Sequence, residues 1–524
     1  MRPERARPGH YTRGEALMSR IPAERILAAL DLSGLSTKRW FRQKLAVVAG
    51  RRLEAEIMDW AELPCQDESV TLLMAVVRTE QGQGYFLPVI AFPGDWEGAT
   101  RSPVAAGDIS ETGRVLGEGD GFAAFDAASS DHYVDSVLRL MEDQANVPSR
   151  RGVLRFRSKG SAVGWRVRPS EAYSNTVVLA RRGVVLKTYR GFSGGINPEV
   201  EVCAALATQP GFENTAPYVG HVTYECPDGT EESVALATAE VEAMGDAWEL
   251  VQRDLAAIAS GSPNPVTVAS LKAMDELGVT LARLHLALAA ARLPGFGRRK
   301  VTDGDLVDWV EAYRRTAEAA QAVLDRMEQP VKSGKPIRSV PLPEALRTSP
   351  LVPYLGGGAE MGFAIRCHGD MHLGQVLVRA DGSYVVIDFE GEPCTPLNGR
   401  RRPTSPLRDV AGMMRSLSYA RGAAERRLRE AANGAAADPA RLARLAAWEA
   451  DAWESLFQGY LRVLGEAGPD LLPPEPQRRA VLLHFAAEKA MYELVYELNN
   501  RPDWVEIPLA GLRALGELLG GDGR

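Results

Sequence analysis

Cysteine is scarce in this chain: Cys65, Cys203, Cys226, Cys367 and Cys394 are the five present among 524 residues. Their number is odd, they lie far apart, and no two form a C-x-x-C pair. That argues against a disulfide framework and against a zinc cluster, and it fits a reducing, cytoplasmic setting. No uninterrupted apolar run is long enough to span a bilayer. The opening stretch MRPERARPGHYTRGEALMSR is basic but lacks the apolar core of a secretory signal, so residues 1–20 read as a disordered tail, with Met18 an alternative start. A basic stripe is missing too. The formal net charge is -7 and the arginines are scattered among acids, so neither a nucleic-acid nor a membrane partner is expected. No internal repeat of fixed period occurs.

What is present is the balance of a globular protein, 45% hydrophobic and 25% charged, in a chain too long for one core. Beyond the tail, the pattern divides into an amino-terminal α+β cap (21–95), an intermediate subdomain (96–165), a small antiparallel-sheet lobe (166–242) and a mainly helical lobe (243–524). The runs Val70–Val77 and Tyr85–Phe92 flank EQGQG and predict a hairpin. A helix is predicted over Asp131 to Gln144. Val177–Leu179 and Val184–Leu186 flank Arg181-Arg182-Gly183 as a second hairpin that ends at Lys187. Asn197 and Pro198 are suited to the cap and first residue of a helix carrying Glu199 and Glu201. Strands follow at Tyr218 to Tyr224 and Ser233 to Ala239. Leu271, Met274, Leu277, Leu281, Leu284, His285 and Leu288 recur at helical spacing. Residues 329–353 read as a loop, and helices are predicted at 408–421, 439–464 and 477–498.

One block carries the chemistry: His368-Gly369-Asp370, then Gln375, then Val385-Val386-Ile387-Asp388-Phe389. Phosphoryl transfer to an alcohol needs a carboxylate beside the acceptor hydroxyl. It also needs a second carboxylate, with an amide oxygen, to hold Mg²⁺ against nucleotide phosphates. H-x-D, an amide five residues later, and D-F-x supply these parts in the order protein kinases use. The bland alternative is that Asp370 only caps a turn. His368 and His372 are four apart, but the residues between them are not the helical H-E-x-x-H of a zinc site.

H-G-D in place of H-R-D resembles aminoglycoside phosphotransferases and their relatives. The strings HGDMHLGQVL, VIDFEGEP, SPLRDVAGMMRSLSYA and EKAMYELVYELNNRPDWVEIPL are similar to maltokinases. The resemblance runs from about Ser174 to Leu509 and is densest in the last third. It implies a bilobal protein-kinase-like α+β fold, with a small antiparallel-sheet N-lobe, a helical C-lobe and an extra cap. Asp370 is then the catalytic base, Gln375 and Asp388 the Mg²⁺ ligands, and His368 a support for the loop. Lys187 falls to the ATP phosphates with Glu201 as its ion-pair partner. Glu199 competes, but the helix dipole already accounts for an acid in the first turn.

The chain departs from kinases in lacking G-x-G-x-x-G. Ser174, Asn175 and Thr176 stand there, as a Ser-Asn-Thr string does in maltokinases, and their hydroxyl, amide and backbone N–H groups are the expected substitute. Asp409 resembles the buried acid beneath the catalytic loop. Glu390 and Glu392 either assist a second Mg²⁺ or face water, and His372 either faces the sugar or packs. Tyr492, Tyr496, Glu497 and Arg501, with Glu493 and Trp504 nearby, either wall a sugar site or serve the core. The resemblance implies ATP-dependent phosphorylation of maltose at its anomeric hydroxyl to maltose 1-phosphate, for α-glucan (glycogen) synthesis. Trehalose synthase would be a partner. The alternatives are a glucosamine kinase, an aminoglycoside phosphotransferase and an inactive pseudokinase scaffold.

Overall fold

The computed structural model describes residues 20–37, 41, 54–94, 115–159, 168–169, 176–180, 183–261, 264–326, 341–393, 395–432 and 436–520. The chain forms two compact units, Met1–Val200 with Tyr218–Glu240, and Glu201–Pro217 with Val241–Arg524. Among the described residues, no helix is long and apolar enough to cross a membrane.

The first unit begins with helix α1 (Ala23–Ala29). Strands β1 (Ala55–Leu63), β2 (Thr71–Thr79), β3 (Gly84–Pro93), β4 (Val115–Gly119) and β5 (Phe122–Asp126) follow as an antiparallel sheet ordered β1-β2-β3-β5-β4. The β2–β3 hairpin lies where the two apolar runs place it. Strand β2 is apolar on both faces because both are covered. Leu72, Met74 and Val76 join one core, while Leu73, Ala75 and Val77 join another with Ile26 of α1.

Helix α2 (Asp131–Glu142) starts at Ser130, whose Oγ accepts from Tyr133 N at 3.1 Å. Its Tyr133, Val134, Val137 and Met141 pack into the same core as Phe156, Leu186 and Ala235. The second sheet comprises β6 (Asn146–Pro148), β7 (Val153–Ser158), β8 (Arg168–Pro169), β9 (Thr176–Ala180), β10 (Val184–Thr188), β11 (Tyr218–Glu225) and β12 (Glu231–Ala239). Their order is β6-β7-β11-β12-β10-β9-β8. An intermediate subdomain was expected over 96–165; of its described residues, β4 and β5 join the first sheet and β6 and β7 the second. The expected tail lies outside the described residues apart from Arg20. Helix α3 (Pro198–Leu206) carries the chain from the first unit into the second, after Val200. Asn197 Oδ1 accepts from Glu199 N at 2.9 Å, as a cap does.

The second unit is mainly helical. It contains β13 (Gly245–Asp246), α4 (Ala247–Ala259), α5 (Asn264–Ala290), β14 (Arg299–Lys300), α6 (Asp303–Arg326) and β15 (Phe363–Ala364). A hairpin of β16 (Val376–Val378) and β17 (Tyr384–Val386) follows, then α7 (Leu407–Ala431), α8 (Pro439–Ala467), α9 (Gln477–Asn500) and α10 (Glu506–Gly520). Met274, Leu277, Leu281, Leu284 and Leu288 of α5 are buried, as their spacing predicts. α5 and α8 approach closely where both lack a side chain: a Cβ on Gly278 would lie 2.0 Å from Leu456 O, and one on Gly459 would lie 2.3 Å from Asp275 O. The β16–β17 hairpin pairs Val376 with Val386 and Val378 with Tyr384. It matters for function because the H-G-D loop enters it and the Asp388 loop leaves it.

Candidate active site

The H-G-D loop is fixed by hydrogen bonds to its backbone. Gly369 has φ +83, a left-handed conformation open to glycine. The carboxylate of Asp409, on α7, accepts from His368 N at 2.8 Å and from Gly369 N at 2.9 Å. Burial pushes this carboxyl up, but His285 and the loop donors outweigh it, so Asp409 is held below the usual carboxylate range.

His368 joins this loop to the next one. Its Nε2 donates to Ile387 O at 2.9 Å, and its Nδ1 accepts from Asp370 N at 3.3 Å. One residue on, Asp388 has φ +64, a conformation uncommon for a side chain with a Cβ and one found at functional sites. Gln375 Nε2 donates to Asp388 Oδ2 at 3.1 Å, and Ile387 N donates to Gln375 O at 3.0 Å. Gln375 and Asp388 therefore stand together, and their oxygens are the hard donors that Mg²⁺ takes.

Asp370 lines a cavity of about 500 Å³ in the second unit, with Trp309, Glu392, Arg408, Glu488, Lys489 and Tyr492 on its walls. The volume suits a small ligand. Lys489 Nζ donates to Asp370 Oδ1 at 3.0 Å and also to Glu392 Oε1. Burial alone would raise the Asp370 carboxyl, but Lys489, His372 and His368 outweigh it and leave it below its ordinary value. Burial likewise works against the Lys489 ammonium, and Glu392 and Asp370 outweigh it, so Lys489 stays charged. Arg408 reaches Glu488 at 3.3 Å and Glu392 at 3.6 Å.

In the first unit, Lys187 Nζ donates to Glu199 Oε2 at 2.8 Å, and Tyr189 OH donates to the same oxygen at 2.9 Å. This corrects the expectation that Glu201 is the partner. Residues two apart on a helix point about 200° apart, so only one of the two acids can face the lysine. Glu201 instead accepts from Arg366 at 3.1 Å and from Arg401 Nε at 3.0 Å. Ser174 and Asn175 lie outside the described residues. Thr176 opens β9, in register with Thr188.

Of the expected sugar residues, Tyr492 alone lines the cavity. His372 caps the turn Leu373–Gln375, its Nδ1 accepting from Gly374 N at 3.1 Å, and burial holds its ring below the ordinary value. Tyr496 is 42% exposed and stacks on Tyr492 with ring centroids 6.3 Å apart. Glu497 is buried and engaged by Arg501 and Tyr419, and Glu493 is engaged by buried Arg415. Being one turn further along α9 removes Tyr496 and Glu497 from the wall.

Lys489, Glu488, Arg408 and Trp309 were not foreseen. The signal for the first two was available. Phe485, Glu488, Lys489 and Tyr492 are spaced as one helical face, so the two charges fall within a buried stripe.

The model of a family described as "Phosphotransferase enzyme family" matches residues 166–445. A glucosamine kinase of Mycolicibacterium smegmatis is 29% identical over 343 residues, 65% of this chain and 77% of that protein. A glucosamine kinase of Streptacidiphilus jiangxiensis is 30% identical over 267 residues, 50% of this chain and 53% of that protein. In fold, the chain resembles a glucosamine kinase solved in complex with glucosamine, ADP and inorganic phosphate. The TM-score is 0.62 at 22% identity, covering 95% of this chain and 100% of that one.

Proposed function

The chain belongs to the phosphotransferase enzyme family, and on that premise we propose that it transfers the γ-phosphoryl group of ATP to a hydroxyl of glucosamine. The observation that carries the reading is the placement of Asp370 on the wall of the 500 Å³ cavity, its backbone tied to the Gln375–Asp388 pair through His368. The acceptor hydroxyl binds Asp370, and its oxygen forms the new bond to phosphorus. The bond from phosphorus to the β-phosphate oxygen breaks, ADP leaves, and the hydroxyl proton passes to Asp370. Lys187, oriented by Glu199, is assigned to the α- and β-phosphates. Gln375 and Asp388 would hold Mg²⁺, which offsets phosphate charge when bound. Tyr492 and Trp309 supply aromatic side chains to the wall that a sugar would contact.

Glucosamine is favoured over maltose because both curated relatives reported above, and the solved structure, are glucosamine kinases. Maltose, glycogen synthesis and a trehalose synthase complex have no support from these relatives.

The test is ADP release with Mg-ATP over a panel of glucosamine, maltose, glucose and an aminoglycoside. We expect kcat/KM for glucosamine to exceed that for the others at least tenfold. A preference for maltose would return the acceptor to the reading drawn from the maltokinase-like strings. ATP binding with no turnover of any sugar would mark an inactive scaffold.

A further inference from the structure

We propose that the groove between α7, α8 and α10 is a second ligand site, built for a small organic anion with an apolar body. The proposal stands apart from the phosphotransfer reading. The groove encloses about 770 Å³, more than the cavity at Asp370 and within the range of small-ligand sites. None of Asp370, Gln375 and Asp388 lines it, so its occupant is not a reactant of the phosphoryl transfer.

Small side chains leave the space open: Ala446 and Ala450 on α8, and Ala510 and Ala514 on α10. Met414, Trp453, Ile507, Leu515 and the 44%-exposed Leu518 give it an apolar surface. Most charges on its walls are already engaged. Glu449 takes Ser418 Oγ and Arg421, Arg429 holds Glu425, and Arg426 holds Glu430. Asp503 and Glu506 lie at the end of the groove where Arg426 donates to Asp503 O and where a Cβ on Gly422 would lie 2.9 Å from Ile507 Cγ1. Arg415 stands seven residues before Gly422, about 10 Å away along α7.

Arg415 is the unusual group. It is 3% exposed, and burial works against its charge, but Glu493 outweighs burial and keeps it a cation. Its Nε and Nη2 donate to Glu493 Oε2 at 3.0 and 2.8 Å. Its Nη1 lies on the groove side against α10, where only glycine fits: a Cβ on Gly511 would be 2.2 Å from it. Among the described residues Nη1 meets no acceptor, and neither does the indole Nε1 of Trp453 on the same groove. Both groups can only donate. A buried guanidinium edge without an acceptor is costly, and a carboxylate is the group that best satisfies it. A cation would meet Arg415 in like charge, and a neutral hydrocarbon would leave its edge unsatisfied. The acid head therefore belongs at Arg415 and the apolar body along Trp453, Ile507 and Leu515.

The test is binding of 3-phenylpropionate to the full chain, followed by ligand-observed NMR and calorimetry. 3-Phenylpropanamide, which keeps the shape and loses the charge, is the control. The acid should bind saturably with Kd of about 1 mM or tighter, and the amide about tenfold more weakly or worse. Ala450→Phe and Ala514→Phe, at exposed positions on two walls, should melt as the wild type does and weaken the acid about tenfold by filling the groove. Arg415→Lys keeps a charge for Glu493 and loses the free edge, so it should also weaken the acid. If that variant does not fold, the two alanine positions still decide. Absence of saturable binding, equal binding of acid and amide, or undiminished binding of the acid in both filled variants would overturn the proposal.

Discussion

Lys489 and Asp370, 119 positions apart in sequence, meet with Nζ 3.0 Å from Oδ1. A carboxylate in a buried cavity would otherwise be pushed toward its neutral form. The lysine keeps it ionised and fixes one of its oxygens, and the other is the one proposed to meet the acceptor hydroxyl.

Removing that charge has a signed consequence. In the wild type burial would raise the Asp370 carboxyl, but Lys489 outweighs it and holds the folded-state pKa below the ordinary value. Its contribution to stability is complete above that value and is lost as pH falls through the folded pKa. In Lys489→Met burial dominates and the carboxyl rises, typically by about 1–3 units when an opposite charge is lost. The acidic limb of the kcat/KM profile should therefore move to higher pH, and stability should fall as pH rises through the new value. A profile of kcat/KM from pH 4 to 9 checks this, with an unmoved acidic limb as the contrary result.

Glu199 and Glu201 should separate in their effect on KM for ATP. Glu199→Gln weakens the buried partner of Lys187, so KM for ATP should rise about tenfold or more, and the melting temperature should fall as well. Glu201→Gln leaves the 2%-exposed Arg366 without its carboxylate and should cost on the order of 3 kcal/mol of stability. Its effect on KM for ATP should be small. Initial rates over an ATP titration decide, and a rise in KM for ATP in Glu201→Gln but not in Glu199→Gln would reinstate Glu201.

Position along α9 predicts a difference between its tyrosines. Tyr492→Ala should raise KM for the sugar about tenfold, through lost stacking and apolar contact. Tyr496→Ala, off the cavity wall, should change it less than threefold. Equal effects in a sugar titration would mean that the acceptor reaches further along the helix than the cavity does.

Legibility followed sequence distance. The hairpins, the helix caps and the order Asp370, Gln375, Asp388 are local signals, and one short hairpin brings the last two together. The choice between Glu199 and Glu201 turned on helix phase relative to a strand, which no local pattern reports. Lys489 reads as a surface charge until α9 is packed. Helix α7 runs ten residues beyond the expected 408–421, to Ala431. Its last turns are polar, and they are carried by Arg421–Glu425, Glu425–Arg429 and Arg426–Glu430 pairs four apart rather than by an apolar stripe. The division of β4–β5 and β6–β7 between two sheets was hidden because their partner strands lie on both sides of them in sequence.

The most direct measurement is γ-phosphoryl transfer from ATP to glucosamine by Asp370→Asn, beside calorimetric titration of Mg-ATP into the same protein. The substitution keeps the size of the side chain and removes its charge. Turnover should fall by about 10²–10⁴-fold or more, with the dissociation constant for Mg-ATP within threefold of the wild type. Undiminished phosphorylation by that variant would contradict the assignment of Asp370 and the site built around it.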